Sequence, residues 1–306
     1  QFDLVNVKKI INDSFALEGN AKTIFNDINS LLPGHYLTID INGRVEIKRW
    51  WDTESHLSET NEKYEKQLNK FKELLFDSCK LRLRSDVPIA TALSGGLDSS
   101  SVYSILKSIS SSKEFKYSSR IPVSYLQAFS AIFPDTEQDE KKYAEYLLDS
   151  TKKNITWVRE DSASLVSQIE KSVKHLDFIY NTPLFMGASV YQEMSKHGIK
   201  VSMDGHGVDE MMYGYGFSIK ELADNLIHYD ADLANELWDT YSEMFSERPV
   251  RPDFYLSQLE VQKNYIFKAK KYLKRFKNPN PINFGFDLMY NQFHSTMLPT
   301  ILRNFD

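Results

Sequence analysis

The run Thr91-Ala92-Leu93-Ser94-Gly95-Gly96-Leu97-Asp98-Ser99-Ser100-Ser101 constrains this chain more than any other stretch. An apolar segment, Val87 to Leu93, leads into it. Behind it Val102, Ile105, Leu106 and Ile109 recur on one helical face. That pattern predicts a buried strand, a tight glycine turn and the N-terminus of a helix. Adjacent glycines let the backbone reach positive φ and approach a ligand with no Cβ in the way. The amides that open a helix have no partner within it and carry the positive end of its dipole. With the hydroxyls of Ser94, Ser99, Ser100 and Ser101 beside them, the turn is shaped to hold a phosphate or pyrophosphate. Asp98 would repel that anion unless a cation stood between them, and Mg²⁺, hard and oxygen-seeking, is the cation such a pairing calls for. A Ser/Gly-rich cap on an ordinary strand-to-helix connection shares part of this pattern. The full string is more specific, and it lacks the Gly-Lys-Ser/Thr end of a Walker loop.

Ser94-Gly95-Gly96-Leu97-Asp98-Ser99 resembles the pyrophosphate loop of the N-type ATP pyrophosphatases, which split ATP between its α and β phosphates. Three other landmarks follow one order along the chain. Leu32-Pro33-Gly34-His35-Tyr36-Leu37, with Arg49-Trp50-Trp51-Asp52, is similar to the stretch that joins the glutamine-hydrolysing and synthetase halves of asparagine synthetases. Val201-Ser202-Met203-Asp204-Gly205-His206-Gly207-Val208-Asp209-Glu210, then Gly214-Tyr215, resembles the second signature of that family, Gly-Glu-Gly-x-Asp-Glu and Gly-Gly-Tyr. Leu298 to Asp306 is similar to its helix carrying Leu-Arg-x-x-Asp-Arg.

The resemblance implies ATP and Mg²⁺ as cofactors, and adenylation of a carboxylate followed by amide formation with glutamine-derived ammonia or another amine. It implies that Leu93, Ser94, Gly95, Gly96, Asp98, Ser99 and Ser100 hold the nucleotide and its pyrophosphate. Leu93, Ala131 and Ile132 would contact adenosine, Asp204 and Gly205 would line that pocket, and Asp98 and Asp209 would bind Mg²⁺. His206 departs from the pattern. Asparagine synthetases place a glutamate there, the related β-lactam synthetases a tyrosine, and lasso-peptide cyclases a histidine. Histidine can serve as a general base near neutral pH. His206, Asp98 and Asp209 are therefore the candidate catalytic residues, and packing within the turn is the alternative for His206. A cyclase of the lasso-peptide or β-lactam type, using an internal amine on a peptide or small-molecule carboxylate, is the alternative function. A nucleotide-binding pseudo-enzyme or scaffold is the reading from a different class. A homodimer is left open.

Composition is that of an ordinary globular enzyme, with 42% hydrophobic and 26% charged residues in a chain of 306. A net charge of −5 gives no nucleic-acid footprint. The basic run Lys268 to Lys277 has apolar residues at helical spacing and reads as a solvated helix face. The single cysteine, Cys79, excludes an intramolecular disulfide and points to a reducing compartment, the cytoplasm. It falls in an amphipathic pattern with Tyr64, Leu68, Phe71 and Leu75 that predicts a buried helix face. No apolar run is long enough to span a membrane, and the N-terminus does not look like a signal peptide.

Residues 1–55 read as a separate piece, the remnant of an amidotransferase-like half and its linker, with a hairpin turning at Asn42-Gly43. The chain begins Gln1-Phe2 where glutamine-hydrolysing members carry a cysteine, so a glutaminase half is expected on the same or another polypeptide. Residues 56–306 read as the synthetase domain, ending before the family's Glu-x-Arg-x-Pro segment. Within it, helices near 63–80, 99–110 and after 140 alternate with strands near 87–93, 126–133, 154–158 and 199–203. The next helical pattern carries Leu165, Val166, Ile169, Val173 and Leu176, and 111–119 reads as a Ser/Lys-rich loop. The expectation is an α/β fold: a parallel twisted sheet covered by helices on both faces, then a mostly helical C-terminal region. In such a sheet ligands sit beyond the carboxyl ends of the strands, where the candidate residues fall.

Overall fold

The computed structural model describes residues 1–57, 60–111, 126–136, 139–148, 155–159, 165–176, 185–226, 230–244 and 281–305. The basic run at 268–277, most of the Ser/Lys-rich loop and the side chains of Leu165, Val173 and Leu176 lie outside this set. Two compact units emerge: Arg49–His206 with Asn304–Asp306, and Gln1–Lys48 with Gly207–Arg303.

The first unit holds a four-stranded sheet built from β3 (Ile89–Ala92), β4 (Gln127–Ile132), β5 (Ile155–Arg159) and β6 (Val201–Ser202). The order is β5-β4-β3-β6 and all pairings are parallel, in registers Ala90↔Gln127, Ala128↔Ile155 and Ala90↔Ser202. The strand period of two sorts the apolar residues onto two faces. Ile89 packs with Val102, Leu106, Ile109, Cys79 and Leu83. Leu93 and Ala128, on the same face, meet Tyr103 and Ala144. These contacts come from helices Tyr64–Arg82, Leu97–Ser111 and Lys141–Leu147. Ala90 and Phe129 face the other way, onto Val190, Met194 and Ile199 from helix Phe185–Lys196 and the segment after it. The sheet is thus covered by helices on both faces, as expected.

Two local expectations need correction. Helix Tyr64–Arg82 buries Cys79, but Tyr64 is 76% and Phe71 39% exposed. Only its C-terminal turns reach the core cluster, so the amphipathic stripe overstates the buried face. The strand expected near 199–203 is cut to Val201–Ser202: the Ile199 amide donates back to the Met194 carbonyl at 3.0 Å, and beyond Ser202 a side chain takes over the ladder, as described below.

The other unit contributes β1 (His35–Ile39) and β2 (Val45–Arg49), joined by a turn with Gly43 at φ +78°, and several helices. Helix Leu4–Asn12 is capped by Asp3, whose carboxylate accepts from the amides of Val5 and Asn6. Glu18 is buried and meets Arg303 Nη2 at 2.7 Å, with Thr300 donating to it at 3.2 Å, so residues near 18 are tied to helix Met297–Phe305.

Helix Gly216–Leu226 carries a partly buried charge cluster. Lys220 bonds Asp224 at 2.6 Å and lies 4.9 Å over the Trp238 ring. Burial, then the Asp224 charge, push the neighbouring Glu221 carboxyl up to about 7 against the pull of Lys220. The folded state therefore keeps a proton that the unfolded chain has released, and stability falls as pH rises from about 4.5 to about 7. Glu221→Gln removes that cost. It is expected to stabilise the protein by about 1–3 kcal/mol at pH 8 and to be near neutral at pH 4.5. Thermal unfolding at the two pH values checks this, and equal shifts at both would exclude Glu221 as the source.

Candidate nucleotide-binding site

The strand order places a topological switch between β3 and β6, since β4 and β5 extend from β3 on one side and β6 lies on the other. Crevices beyond the carboxyl ends of strands at such a point are where open α/β sheets hold ligands. The glycine turn leaves β3 there, and the second signature leaves β6.

Leu93 is 1% exposed and its amide donates to the Phe129 carbonyl at 2.8 Å, so the sheet fixes the entry to the turn. Gly95 then adopts φ +94°. A Cβ there would lie 2.7 Å from the Ala144 amide nitrogen and 2.9 Å from Tyr143 Cβ, so glycine is required by conformation and by space. Gly96 is not at positive φ, and its Cβ would meet only Ser94 Oγ at 3.2 Å.

The four serines separate into distinct settings. Ser94 is exposed, and its Oγ lies 3.0 Å from Ser99 Oγ and accepts from the Gly96 amide at 3.1 Å. Ser99 is buried and also donates to the Gly96 carbonyl at 3.3 Å. Ser100 is half-buried and its amide donates to the Gly96 carbonyl at 3.0 Å. Ser101 differs from expectation. Its hydroxyl bonds back to the Leu97 carbonyl at 2.8 Å, one helical turn earlier, and so is engaged within the helix. Asp98 stands half-buried in the first turn of helix Leu97–Ser111, and Ala131 and Ile132 end β4, both half-buried.

Asp204 and Gly205 join the two motifs within this unit. A Cβ on Gly205 would lie 2.7 Å from Ser99 N and 2.8 Å from Asp98 Cβ, so its backbone is seated on the opening of the pyrophosphate-loop helix. Asp204 Oδ1 accepts from the Ala92 amide at 2.7 Å and from Ser202 Oγ at 2.6 Å. Its Oδ2 accepts from the Tyr191 hydroxyl. Burial, then the Asp204 charge, push the Tyr191 phenol well above its usual range and keep it a donor. Tyr191 and Ser202 were not legible as site residues. Ser202 falls inside the second signature, which gives it no role of its own, and nothing in the sequence singles out Tyr191.

His206 is exposed and ends this unit. Asp209 belongs to the other one, in helix Val208–Met212, entered through Gly207 at φ +97°. A Cβ at Gly214 would overlap Asp209 Oδ1, so this glycine leaves room for the carboxylate to fold back on its own turn. Glu210 is 1% exposed and accepts from the Tyr215 hydroxyl at 2.6 Å through Oε1, while Oε2 finds no donor among the described residues. Sequence alone marks Glu210 as half of an acidic pair; its burial comes from packing.

The chemistry of these donors fits a nucleotide. An exposed hydroxyl, a glycine turn without side chains and a fresh helix N-terminus suit a polyphosphate. Among the described residues no group of three or more His, Cys, Asp or Glu could hold a metal ion. A Mg²⁺ with one or two protein carboxylates would take its remaining ligands from phosphate and water, which is how that ion usually binds.

A parallel sheet with a Ser-Gly-Gly-x-Asp-Ser turn at its switch point defines an α/β fold of the pyrophosphate-loop class. The asparagine synthase family model matches residues 70–306, and the chain belongs to that family. It is 32% identical over 215 residues to an amidase of Penicillium rubens, covering 68% of this chain and 32% of that protein. An amidase of Gibberella zeae is 30% identical over 207 residues, 64% of this chain and 30% of that one. A glutamine-hydrolysing asparagine synthetase of Bacillus subtilis is 27% identical over 210 residues, 66% of this chain and 30% of that protein. The chain spans about a third of the length of these relatives. No helix among the described residues is long and apolar enough to cross a membrane.

Proposed function

We propose that this chain is the synthetase part of an AMP-forming amide ligase that works in the cytoplasm, with residues 1–55 derived from an amidotransferase-like half. A substrate carboxylate oxygen attacks the α-phosphorus of ATP and pyrophosphate leaves. Ammonia or an amine then attacks the activated carbonyl carbon, and AMP leaves with the bonding electrons. Adenylation is needed because a free carboxylate is a poor electrophile. Ser94, Gly96, Ser99 and Ser100 would hold the pyrophosphate, while Leu93, Ala131, Ile132, Asp204 and Gly205 would line the adenosine side. Gly95 shapes the turn. Mg²⁺, with Asp98 and Asp209 as its candidate ligands, would neutralise the phosphate charge. The observation that carries this reading is Gly205 seated on the Asp98–Ser99 backbone, because it brings the two signatures together at the switch point.

A second reading, a cyclase that closes an amide with an internal amine, is favoured by His206 in place of the family glutamate. Ammonia drawn from a glutaminase half belongs to the first reading and an internal nucleophile to the second. Nucleotide products from the full-length protein, given Mg·ATP with aspartate and then with short peptides bearing a free amine and side-chain carboxylates, test both. AMP and pyrophosphate are expected in either case, with ammonia-dependent asparagine marking the first and a cyclic peptide the second. ADP and phosphate as sole products would refute the assignment. Calorimetry should show Mg·ATP binding at least about tenfold more weakly to Asp98→Asn, as expected for the loss of about 1.4 kcal/mol or more of charge interaction. Equal affinity would remove Asp98 from the metal site.

A further inference from the structure

β6 stops after two residues, and the manner of its ending has a consequence for the site. Ala90 and Ser202 pair in register, and the Met203 amide donates to the Ala90 carbonyl at 2.8 Å. The next amide of β3 that faces this neighbour is Ala92 N–H. In a longer β6 it would donate to a backbone carbonyl. Here it donates to Asp204 Oδ1 at 2.7 Å. A side chain has replaced the ladder, so the main chain at residue 204 is released from the sheet and can turn. The turn carries Gly205 onto the Asp98–Ser99 backbone and ends at His206.

That substitution works only if the Asp204 side chain is itself held. An ionised carboxylate offers about four acceptor positions. Three are occupied: Oδ1 by Ala92 N–H and Ser202 Oγ, and Oδ2 by the Tyr191 hydroxyl. Ser202 closes β6 and Ala92 lies in β3, so both of these donors hold the carboxylate to the sheet. Tyr191 comes from helix Phe185–Lys196, and its ring packs against the sheet core beside Val190 and Met194. Among the described residues it is the donor that ties the second carboxylate oxygen to an element outside the sheet.

We propose that Tyr191 is a positioning residue: acting through Asp204, it fixes the turn that seats Gly205 on the pyrophosphate loop and presents His206. This rests on the ATP-dependent reading above. Tyr191 makes no chemical step. Its hydroxyl sets the orientation of a carboxylate that replaces a strand carbonyl, so its loss lets the turn and the loop drift relative to one another.

The test uses full-length protein at 25 °C, with Mg·ATP affinity read by calorimetry and folding read by circular dichroism and thermal unfolding. Tyr191→Phe keeps the ring in the core and removes only the oxygen. It is expected to retain the fold and to weaken ATP affinity about 5- to 20-fold, near the lower end of the roughly 10- to 150-fold that a hydrogen bond to a charged group is worth, because Tyr191 acts on the ligand indirectly. Asp204→Ala is expected to weaken it further. In the Asp204→Ala background, adding Tyr191→Phe is expected to change affinity less than about twofold, because Tyr191 acts only through that carboxylate. A lowered melting temperature with unchanged affinity in Tyr191→Phe would overturn the proposal and leave Tyr191 structural. Independent, additive losses would overturn it as well. Should Tyr191→Phe not fold, Asp204→Asn serves in its place: it keeps an acceptor for Ala92 and must reverse the bond to Tyr191, and unchanged affinity in that variant would also overturn the proposal. Absence of ATP binding in the wild-type protein overturns both this inference and the functional reading, whereas wild-type binding with an unaffected Tyr191→Phe overturns this inference alone.

Discussion

Replacing Gly95 with alanine is expected to destabilise the sheet-bearing unit by about 2–5 kcal/mol, while the same change at Gly96 costs less than about 1 kcal/mol. Two neighbouring glycines in one turn thus have different reasons for being glycine. At Gly95, φ is +94°, outside the wells that an L side chain prefers, at a cost on the order of 1–3 kcal/mol. The added Cβ would also come within 2.7 Å of the Ala144 amide nitrogen and 3.1 Å of the Glu140 carbonyl oxygen. Both are backbone atoms that cannot swing aside, and relieving such overlap typically costs about 1–3 kcal/mol more. At Gly96 the nearest atom is Ser94 Oγ at 3.2 Å, the tip of an exposed side chain that can rotate. Chemical denaturation of the two variants separates them. On the proposed reading, Gly96→Ala should nonetheless weaken Mg·ATP binding, because a methyl group then stands where a pyrophosphate must approach. Equal loss of stability in both variants would show that the turn is set by neither φ nor Ala144.

The strand, turn and helix around this site were legible because each has a local cause. Val87–Leu93 is an apolar run, the glycines permit a tight turn, and Val102, Leu106 and Ile109 recur at helical spacing and do bury in one cluster. What the sequence did not show depends on partners distant along the chain. The Ala92 amide finds its acceptor 112 residues away, in an aspartate that the second signature marks for the nucleotide pocket and not for the sheet. Nothing local marks Asp204 as the stand-in for a strand carbonyl, or Tyr191 as its support. Glu210 shows the same limit, since the second signature places it beside Asp209 but its burial comes only from packing. Helix Tyr64–Arg82 errs in the opposite direction. Its apolar stripe is real, but burial needs a neighbour along its whole length, and its N-terminal turns have Tyr64 and Phe71 exposed. Periodicity reports which face could be buried, and tertiary contact decides how much of it is.

His206→Ala is expected to slow amide formation by about 10²–10⁴-fold while leaving adenylation nearly unchanged, the range associated with loss of a general base. The separation follows from where the residue stands. Asp204 and Gly205, the two residues before it, are held by β3, Ser202 and the opening of the pyrophosphate-loop helix. His206 itself is exposed at the end of that turn. Truncating its side chain therefore leaves intact the backbone contacts that shape the nucleotide side. The amine must lose a proton as it attacks the activated carbonyl, and an imidazole can accept one near neutral pH. The attack of a carboxylate on the α-phosphorus needs no such acceptor. Pyrophosphate exchange in the presence of a competent carboxylate reads the first half-reaction, and product formation reads the second. The melting temperature guards against a folding defect. His206→Glu restores the residue that the family usually carries, so it should recover activity selectively if ammonia is the nucleophile and should not if an internal amine is. Equal losses in both half-reactions of His206→Ala would instead mean that the histidine supports the turn. In that event the preference for an amine-side base at this position fails, even if the chain still releases AMP.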